Sequence, residues 1–177
     1  MSSMGKHRDH LRAATTWDHR RLDEMFAAMG TSEDYARYLI AVHALRSAIE
    51  PWLSTHPLSD GAFRPTFALK ELSADCVDLG LAVPASTSDV SFEPTKENWF
   101  GALYVMEGSS LGAPVLMSMA RKLGYDEEFG ARHLALQLQA RERWRQFLDI
   151  FEEAPGLDLS ASADAARKLF AMALSHK

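Results

Sequence analysis

Hydrophobic side chains recur at steps of three and four residues along almost the entire chain, and runs of strict apolar–polar alternation are missing. This spacing predicts α-helices and essentially no sheet, because it places apolar groups on one face of a helix. We predict six helices, over residues 8–29, 32–53, 66–79, 96–123, 126–153 and from about 160 to near the end of the sequence. Thr31 or Ser32, and Thr95, are expected to cap helix N-termini, and Pro51 is expected to bend or close the second helix.

The segments between the predicted helices are rich in proline, serine and glycine. Residues 54–65 are predicted to form a loop, and residues 84–94 an exposed connector rather than a domain boundary. We expect one domain over 1–177, with a flexible N-terminus over 1–7. The predicted fold class is therefore an all-α, single-domain bundle of about six main helices, in which chemistry is built from side chains between the helices.

The composition is that of one globular domain: 177 residues, of which 47% are hydrophobic and 24% charged. The formal charge of −5 disfavours a nucleic-acid partner. One cysteine, Cys76, cannot form an intramolecular disulfide, and a charged-then-apolar leader is missing, so we expect the reducing cytoplasm. No stretch approaches eighteen consecutive apolar residues, so a membrane span is not expected.

Charge is unevenly distributed, because residues 1–21 carry five basic side chains against two acidic ones. The basic residues are Lys6, Arg8, Arg12, Arg20 and Arg21. This basic patch has a net charge of +3 and leaves −8 for the rest of the chain. Such a patch is a candidate surface for carboxylates or for an acidic partner.

Residues 101–116 are apolar and helical in pattern, yet they contain three glycines and a proline. An interior glycine costs about 1 kcal/mol relative to alanine and an interior proline about 3 kcal/mol. Gly108 and Gly112 are four residues apart and are predicted to share a face with Tyr104. This pattern fits either tight helix packing or the close approach of a flat ligand. Pro114 lacks an amide hydrogen, so a kink is predicted here.

His19 and Arg12 are predicted to lie together on the flank of the first helix, about 10 Å apart along its axis. A lone histidine on a helix is more often structural or exposed than a metal ligand. However, a planar dianion held through a metal by His19 could place its acidic edge near Arg12. His43, among apolar neighbours, is interpreted as a core residue, and the paired Glu-x-x-His motifs of a di-iron site do not occur.

These two segments together resemble the heme oxygenases, especially the bacterial biliverdin-producing branch. The spacing Leu11-Arg-x-x-Thr15-x-x-x-His19 resembles the proximal helix of that family. Residues 104–112, Tyr-Val-Met-Glu-Gly-Ser-Ser-Leu-Gly, resemble its glycine-rich distal helix. The resemblance implies that heme lies between the first helix and a kinked distal helix.

The resemblance also implies roles for individual residues. His19 would be the axial iron ligand, while Gly108, Ser109 and Gly112 are the candidate catalytic residues of the distal side. Candidate heme contacts are Arg12, Thr15, Tyr104, Arg141 and Arg145. The sequence departs from the family in having Ser109 where animal enzymes carry an acidic residue, and in lacking glycines over 135–140.

The implied reaction converts heme, dioxygen and electrons into biliverdin, carbon monoxide and ferrous iron. The implied partners are an electron donor such as a ferredoxin or a flavin reductase, and a bilin-binding photoreceptor as product acceptor. Three alternatives are a non-catalytic heme-binding protein, a helical interaction module without a ligand, and a thiaminase-like enzyme. The last would need a pocket cysteine, whereas Cys76 is interpreted as core packing.

Overall fold

The computed structural model describes residues 5–27, 29–58, 63–83 and 90–175. These residues form eight α-helices: α1 (Lys6–Ala27), α2 (Ser32–Thr55), α3 (Leu69–Asp78), α4 (Lys96–Gly108), α5 (Ala113–Lys122), α6 (Arg132–Gln139), α7 (Arg141–Glu152) and α8 (Leu159–Ser175). A 3₁₀ segment, Ser109–Leu111, joins α4 to α5. The described part of the chain contains an isolated bridge but no strand, which confirms the all-α prediction. Within it, no helix is long and apolar enough to cross a membrane.

Two predicted segments lie partly outside the described residues. Of the predicted flexible N-terminus, residues 1–4 lie outside, whereas Lys6 already opens α1. Of the predicted connector, residues 84–89 lie outside. Its described remainder contains Val90 and Phe92, which are both buried in the core.

The single helix predicted over 96–123 is wrong, because α4 and α5 are separated by the 3₁₀ segment. Pro114 stands in the first turn of α5, where a helix does not use the amide hydrogen that proline lacks. The hydroxyls of Ser109 and Ser110 donate to the carbonyls three residues earlier, at 2.6 and 2.7 Å. They satisfy carbonyls that the break would leave without partners.

The helix predicted over 126–153 is also wrong as one element. Its first residues form a turn, in which the Asp126 carboxylate accepts from the amide of Phe129 at 3.0 Å. Gly130 follows with φ of +77°, a conformation that favours glycine. The rest divides into α6 and α7 at Ala140. Local polar capping and a left-handed residue therefore override the helical periodicity.

The N-caps predicted at Thr31 and Thr95 are confirmed. Thr31 and Asp34 form a reciprocal capping box at α2, with 3.1 Å hydrogen bonds in both directions. The hydroxyl of Thr95 accepts from the third backbone amide after it at 3.2 Å and caps α4. Pro51 does not close the second helix, because α2 continues to Thr55.

The position of α8 determines how α1 and α4 face each other. Gly101 of α4 lies so close to α8 that a Cβ built there would be 2.3 Å from the carbonyl oxygen of Ser162. On the other side of α8, the guanidinium of Arg167 donates two hydrogen bonds, of 2.8 and 3.0 Å, to the carbonyl of Ala14 in α1. Helix α8 thus packs against both α1, which contains His19, and α4, the glycine-rich helix, and fixes how the two face each other.

Residues of α2, α3, α5 and α6 form one hydrophobic cluster, which includes Tyr38. The hydroxyl oxygen of Tyr38 lies 2.9 Å from Nε2 of His133, and Nδ1 of His133 lies 2.7 Å from the Asp75 carboxylate. All three side chains are buried. Because the Asp75 carboxylate accepts from Nδ1–H of His133, Nε2 of that ring carries no hydrogen. Its lone pair accepts the hydrogen bond from the Tyr38 hydroxyl.

Candidate functional site

A cavity of about 630 Å³ lies beside α1 and is called the α1 cavity below. Its described lining residues are Arg8, Arg12, Thr16, His19, Arg20, Asp23, Tyr104, Leu111 and Trp144. The volume falls in the range of roughly 300–1,000 Å³ typical of ligand sites. Cationic side chains of α1 therefore face aromatic side chains of α4 and α7 across one space.

His19 is half-buried, and its ring meets that of Phe170 edge-on, with 4.6 Å between the centroids. Burial lowers the pKa of His19, Arg12 lowers it further, and the carboxylates of Asp23 and Asp18 oppose the shift. Neither ring nitrogen makes a hydrogen bond to another described residue. The lowered pKa favours the neutral imidazole at neutral pH, and the neutral ring has the lone pair that binds metals.

The opposite wall of the cavity is aromatic. Tyr104 is buried, and its ring centroid lies 6.3 Å from that of His19 and 5.7 Å from that of Trp144. Burial raises the pKa of Tyr104, so its phenol stays protonated and able to donate. A Cβ at Gly108 would lie 3.5 Å from the Trp144 ring, an ordinary contact distance. The bare backbone of Gly108 thus faces the indole.

Gly112 is placed differently from Gly108. It is exposed, and the atoms nearest to a Cβ built there are a carbonyl and a leucine methyl of its own segment. The 3₁₀ segment between the two glycines changes the rotation per residue, so the shared face predicted from a continuous helix does not form. Leu111, 52% exposed, lines the cavity instead of Gly112.

No family model matches the chain. Over 159 residues the chain is 30% identical to the heme oxygenase PigA of Pseudomonas aeruginosa, which covers 85% of this chain and 78% of that protein. The chain belongs to the heme oxygenase family. It is also similar in fold to the heme oxygenase of Neisseria meningitidis, whose crystal structures hold NO and CO. The TM-score is 0.74 at 26% identity, covering 96% of this chain and 89% of that one.

Several of the predicted heme contacts in this heme oxygenase lie outside the α1 cavity. Thr15 is fully buried, and its hydroxyl donates to the carbonyl of Leu11 at 2.7 Å, while its neighbour Thr16 lines the cavity. Arg141 and Arg145 are exposed on α7 and do not line it. Arg12 and Tyr104 do line it. The structure therefore brings His19, Arg12 and Tyr104 together, with Gly108 behind Trp144.

Ser109 does not line the α1 cavity either, although it lies in the break beside it. Its hydroxyl donates to a backbone carbonyl and also accepts from the guanidinium of Arg46 at 3.4 Å. Sequence reasoning did not single out Arg46. The only signal was an Arg46/Glu50 pair one turn apart within a largely apolar segment.

Sequence reasoning also missed lining residues of this heme oxygenase. They are Thr16, Asp23, Leu111 and Trp144. Trp144 carried a usable signal, because it begins a series of aromatic residues on one face of α7. Arg8 and Arg20 belonged to the basic patch, but the pattern did not show that they face the same space as His19.

A concavity of about 690 Å³ lies at the ends of α2 and α7, where Trp52 and Trp99 contribute to its walls. It lacks the arginine cluster of the α1 cavity among its described lining residues. Its ammonium group, on Lys96, is engaged by the carbonyls of Pro155 and Gly156 at 2.8 and 2.9 Å. A planar ligand with carboxylates therefore fits the α1 cavity better.

Cys76 is fully buried in α3, and burial raises the pKa of its thiol to about 11. A thiol with such a pKa is almost wholly protonated at neutral pH and is a poor nucleophile. The structure thus agrees with core packing for this residue. It gives no support to the thiaminase-like alternative.

Proposed function

We propose that this heme oxygenase binds heme in the α1 cavity and opens the porphyrin ring with dioxygen and electrons, giving biliverdin, carbon monoxide and ferrous iron. The proposal rests on the side chains that line the α1 cavity together with His19. A neutral imidazole, guanidinium groups and aromatic walls converge on one cavity of suitable volume. They match the iron, the two carboxylates and the flat apolar ring of heme.

His19 would bind the heme iron. Its contact with Phe170 restricts rotation of the imidazole, so that one ring nitrogen is presented consistently. Asp23, one turn later, exerts the largest charge effect on His19 and lines the same cavity. It would accept a hydrogen bond, directly or through water, from the other ring nitrogen and so orient the ligand.

Arg12, with Arg8 and Arg20, would hold the heme carboxylates. A hydrogen bond to a charged group contributes about 1.5–3 kcal/mol, and the exposure of these side chains favours the lower end. Their positions along α1 would orient the bound heme, and so influence which biliverdin isomer forms.

When bound, heme supplies the iron centre that receives electrons and dioxygen. The chain's own contribution on that side is space and hydrogen bonding. Gly108 lacks a side chain next to Trp144, so the Trp144 ring can lie against its backbone. Tyr104 keeps its proton and can donate to a carboxylate or a water molecule.

Basic residues at the edge of α1 are the proposed contact for an acidic electron donor, such as a ferredoxin or a flavin reductase. Lys6 and Arg21, which do not line the α1 cavity, are exposed there. Charge-guided association of this kind weakens as salt rises. Supply of biliverdin to a bilin-binding photoreceptor, and a cytoplasmic location, stay predictions.

The test is a hemin titration followed by turnover. We expect a sharp Soret band at one hemin per chain, and then the red absorbance of biliverdin when a reductant is added in air. A Soret band without biliverdin would favour the non-catalytic heme binder, and no band would favour the interaction module. Gly108→Leu adds bulk against Trp144 and is expected to keep the fold but lose biliverdin formation. Normal turnover by Gly108→Leu would contradict the role given to the distal backbone.

A further inference from the structure

A buried ion pair lies outside the α1 cavity, on α2. The side chain of Arg46 is 2% exposed, and its Nη1 donates to Oε1 of Glu50 at 2.7 Å. The Glu50 carboxylate also accepts from the amides of Ala68 and Leu69, at 2.9 and 3.1 Å, at the start of α3. Buried charges are tolerated only when such hydrogen bonds compensate for the lost water.

A second buried carboxylate, Glu107, joins this network through Thr66. Glu107 is 1% exposed and accepts from the Thr66 amide at 2.6 Å and from the Thr66 hydroxyl at 3.0 Å. The Thr66 carbonyl in turn accepts from Arg46 at 3.1 Å. Burial raises the pKa of Glu107, while the hydrogen bonds from Thr66 and the charge of Arg46 oppose the rise.

These contacts bracket Gly108. Glu107 precedes it and is joined to Arg46 through Thr66, whereas Ser109 follows it and is reached by Arg46 at 3.4 Å. The break in the helix leaves this stretch with fewer helical hydrogen bonds than a continuous helix would give it. We call Gly108 and the residues on either side of it the distal wall. The Arg46 guanidinium therefore connects α2 to both sides of Gly108 in the distal wall.

We infer that Arg46 is a positioning residue for the distal wall: through Thr66 and Ser109 it fixes the backbone on both sides of Gly108. A pair that served only the junction of α2 and α3 would be complete with Glu50 and would not need the contacts on either side of Gly108. The expected effect of Arg46 on the biliverdin isomers rests on the proposed function. The expected effect on backbone hydrogen exchange in the heme-free protein does not.

The test uses hydrogen exchange of the heme-free full chain, followed by mass spectrometry. Arg46→Lys keeps a positive charge for Glu50 but loses the planar fork that reaches Thr66 and Ser109 together. We expect exchange over 105–113 to become at least about tenfold faster, with α8 unchanged. Arg37→Lys is the matched control, because Arg37 is an exposed arginine of the same helix and the substitution is the same.

A folded Arg46→Lys variant with unchanged exchange over 105–113 would overturn the inference. Ser109→Ala supplies a second line, because its effect on exchange should overlap with that of Arg46→Lys in the double variant. Fully additive effects would show that the two side chains act independently and would also overturn it.

In the hemin-loaded protein, Arg46→Lys should retain hemin affinity within about threefold but shift the distribution of biliverdin isomers. Retained affinity with an unchanged isomer distribution would contradict the role at the distal wall. If wild-type protein bound no hemin, the proposed function would fail while the exchange result could still stand. The two failures are therefore distinguishable.

Discussion

Substituting alanine for two glycines of the same helix should have opposite effects on stability. A Cβ at Gly101 would lie 2.3 Å from the carbonyl oxygen of Ser162 and 2.7 Å from the Cβ of Ala165. The first distance is about 0.7 Å shorter than the 3.0 Å below which such contacts are essentially not found. The obstacle is the backbone of α8, which cannot rotate away, so α4 and α8 would have to separate.

We expect Gly101→Ala to lower the free energy of unfolding by about 3 kcal/mol, the upper end of typical overpacking effects. Gly108→Ala meets Trp144 at only 3.5 Å and should change stability by less than about 1 kcal/mol, toward stabilisation. Urea unfolding measures both, and the midpoint of Gly101→Ala should fall by about 1 M at unchanged slope. Equal stability of Gly101→Ala and wild type would refute the assignment of this glycine to helix packing.

Three further predictions concern pH, capping and hemin affinity. Burial lowers the pKa of His133 below its ordinary 6.5, so the unfolded chain binds a proton first and unfolding free energy should fall as pH drops below about 6.5. In urea titrations at pH 7.5 and 5.5, His133→Gln should show a smaller fall in unfolding free energy than wild type. An equal fall in both proteins would contradict this prediction. Thr31→Ala removes the capping box of α2 and should lower the unfolding free energy by about 1 kcal/mol, and no change in the urea midpoint would argue against the cap. Arg12→Ala should weaken hemin binding about tenfold in a fluorescence-quenching titration, whereas Arg145→Ala should not. Equal effects of the two substitutions would contradict the assignment of the α1 cavity as the hemin site.

Local chemistry made much of the fold predictable from the sequence. Thr95 and Thr31 cap helices because their hydroxyls act within three residues, and such contacts need no knowledge of the fold. The kink implied by Pro114 was also local. Its form as a full break depended on the two serine hydroxyls that replace helical hydrogen bonds, and periodicity alone does not reveal that choice.

The candidate site was predictable only where one helix carries it. His19 and Arg12 share the flank of α1 as the helical wheel requires. Thr15 and Thr16 differ by one residue, hence by about 100° around the axis, so one is buried and the other faces the cavity. The aromatic face of α7 indicates that Trp144 packs inward, but its place in the α1 cavity depends on a tertiary contact that the pattern alone does not reveal.

Arg46 shows why the rest of the site was not predictable. A basic and an acidic residue four positions apart usually mark a solvated helix face. Here both are buried, because residues 66–69 supply the hydrogen bonds that replace water. Burial of that pair is decided by a segment about twenty residues away, which only the folded structure brings into contact.

Replacement of the proposed ligand by glycine tests the central claim most directly. His19→Gly should lose the Soret band of the wild-type hemin complex, and added imidazole should restore it by occupying the vacated position. His10→Gly, on an exposed part of the same helix, should need no rescue. A wild-type Soret band in His19→Gly without imidazole would contradict the assignment of His19 as the heme ligand.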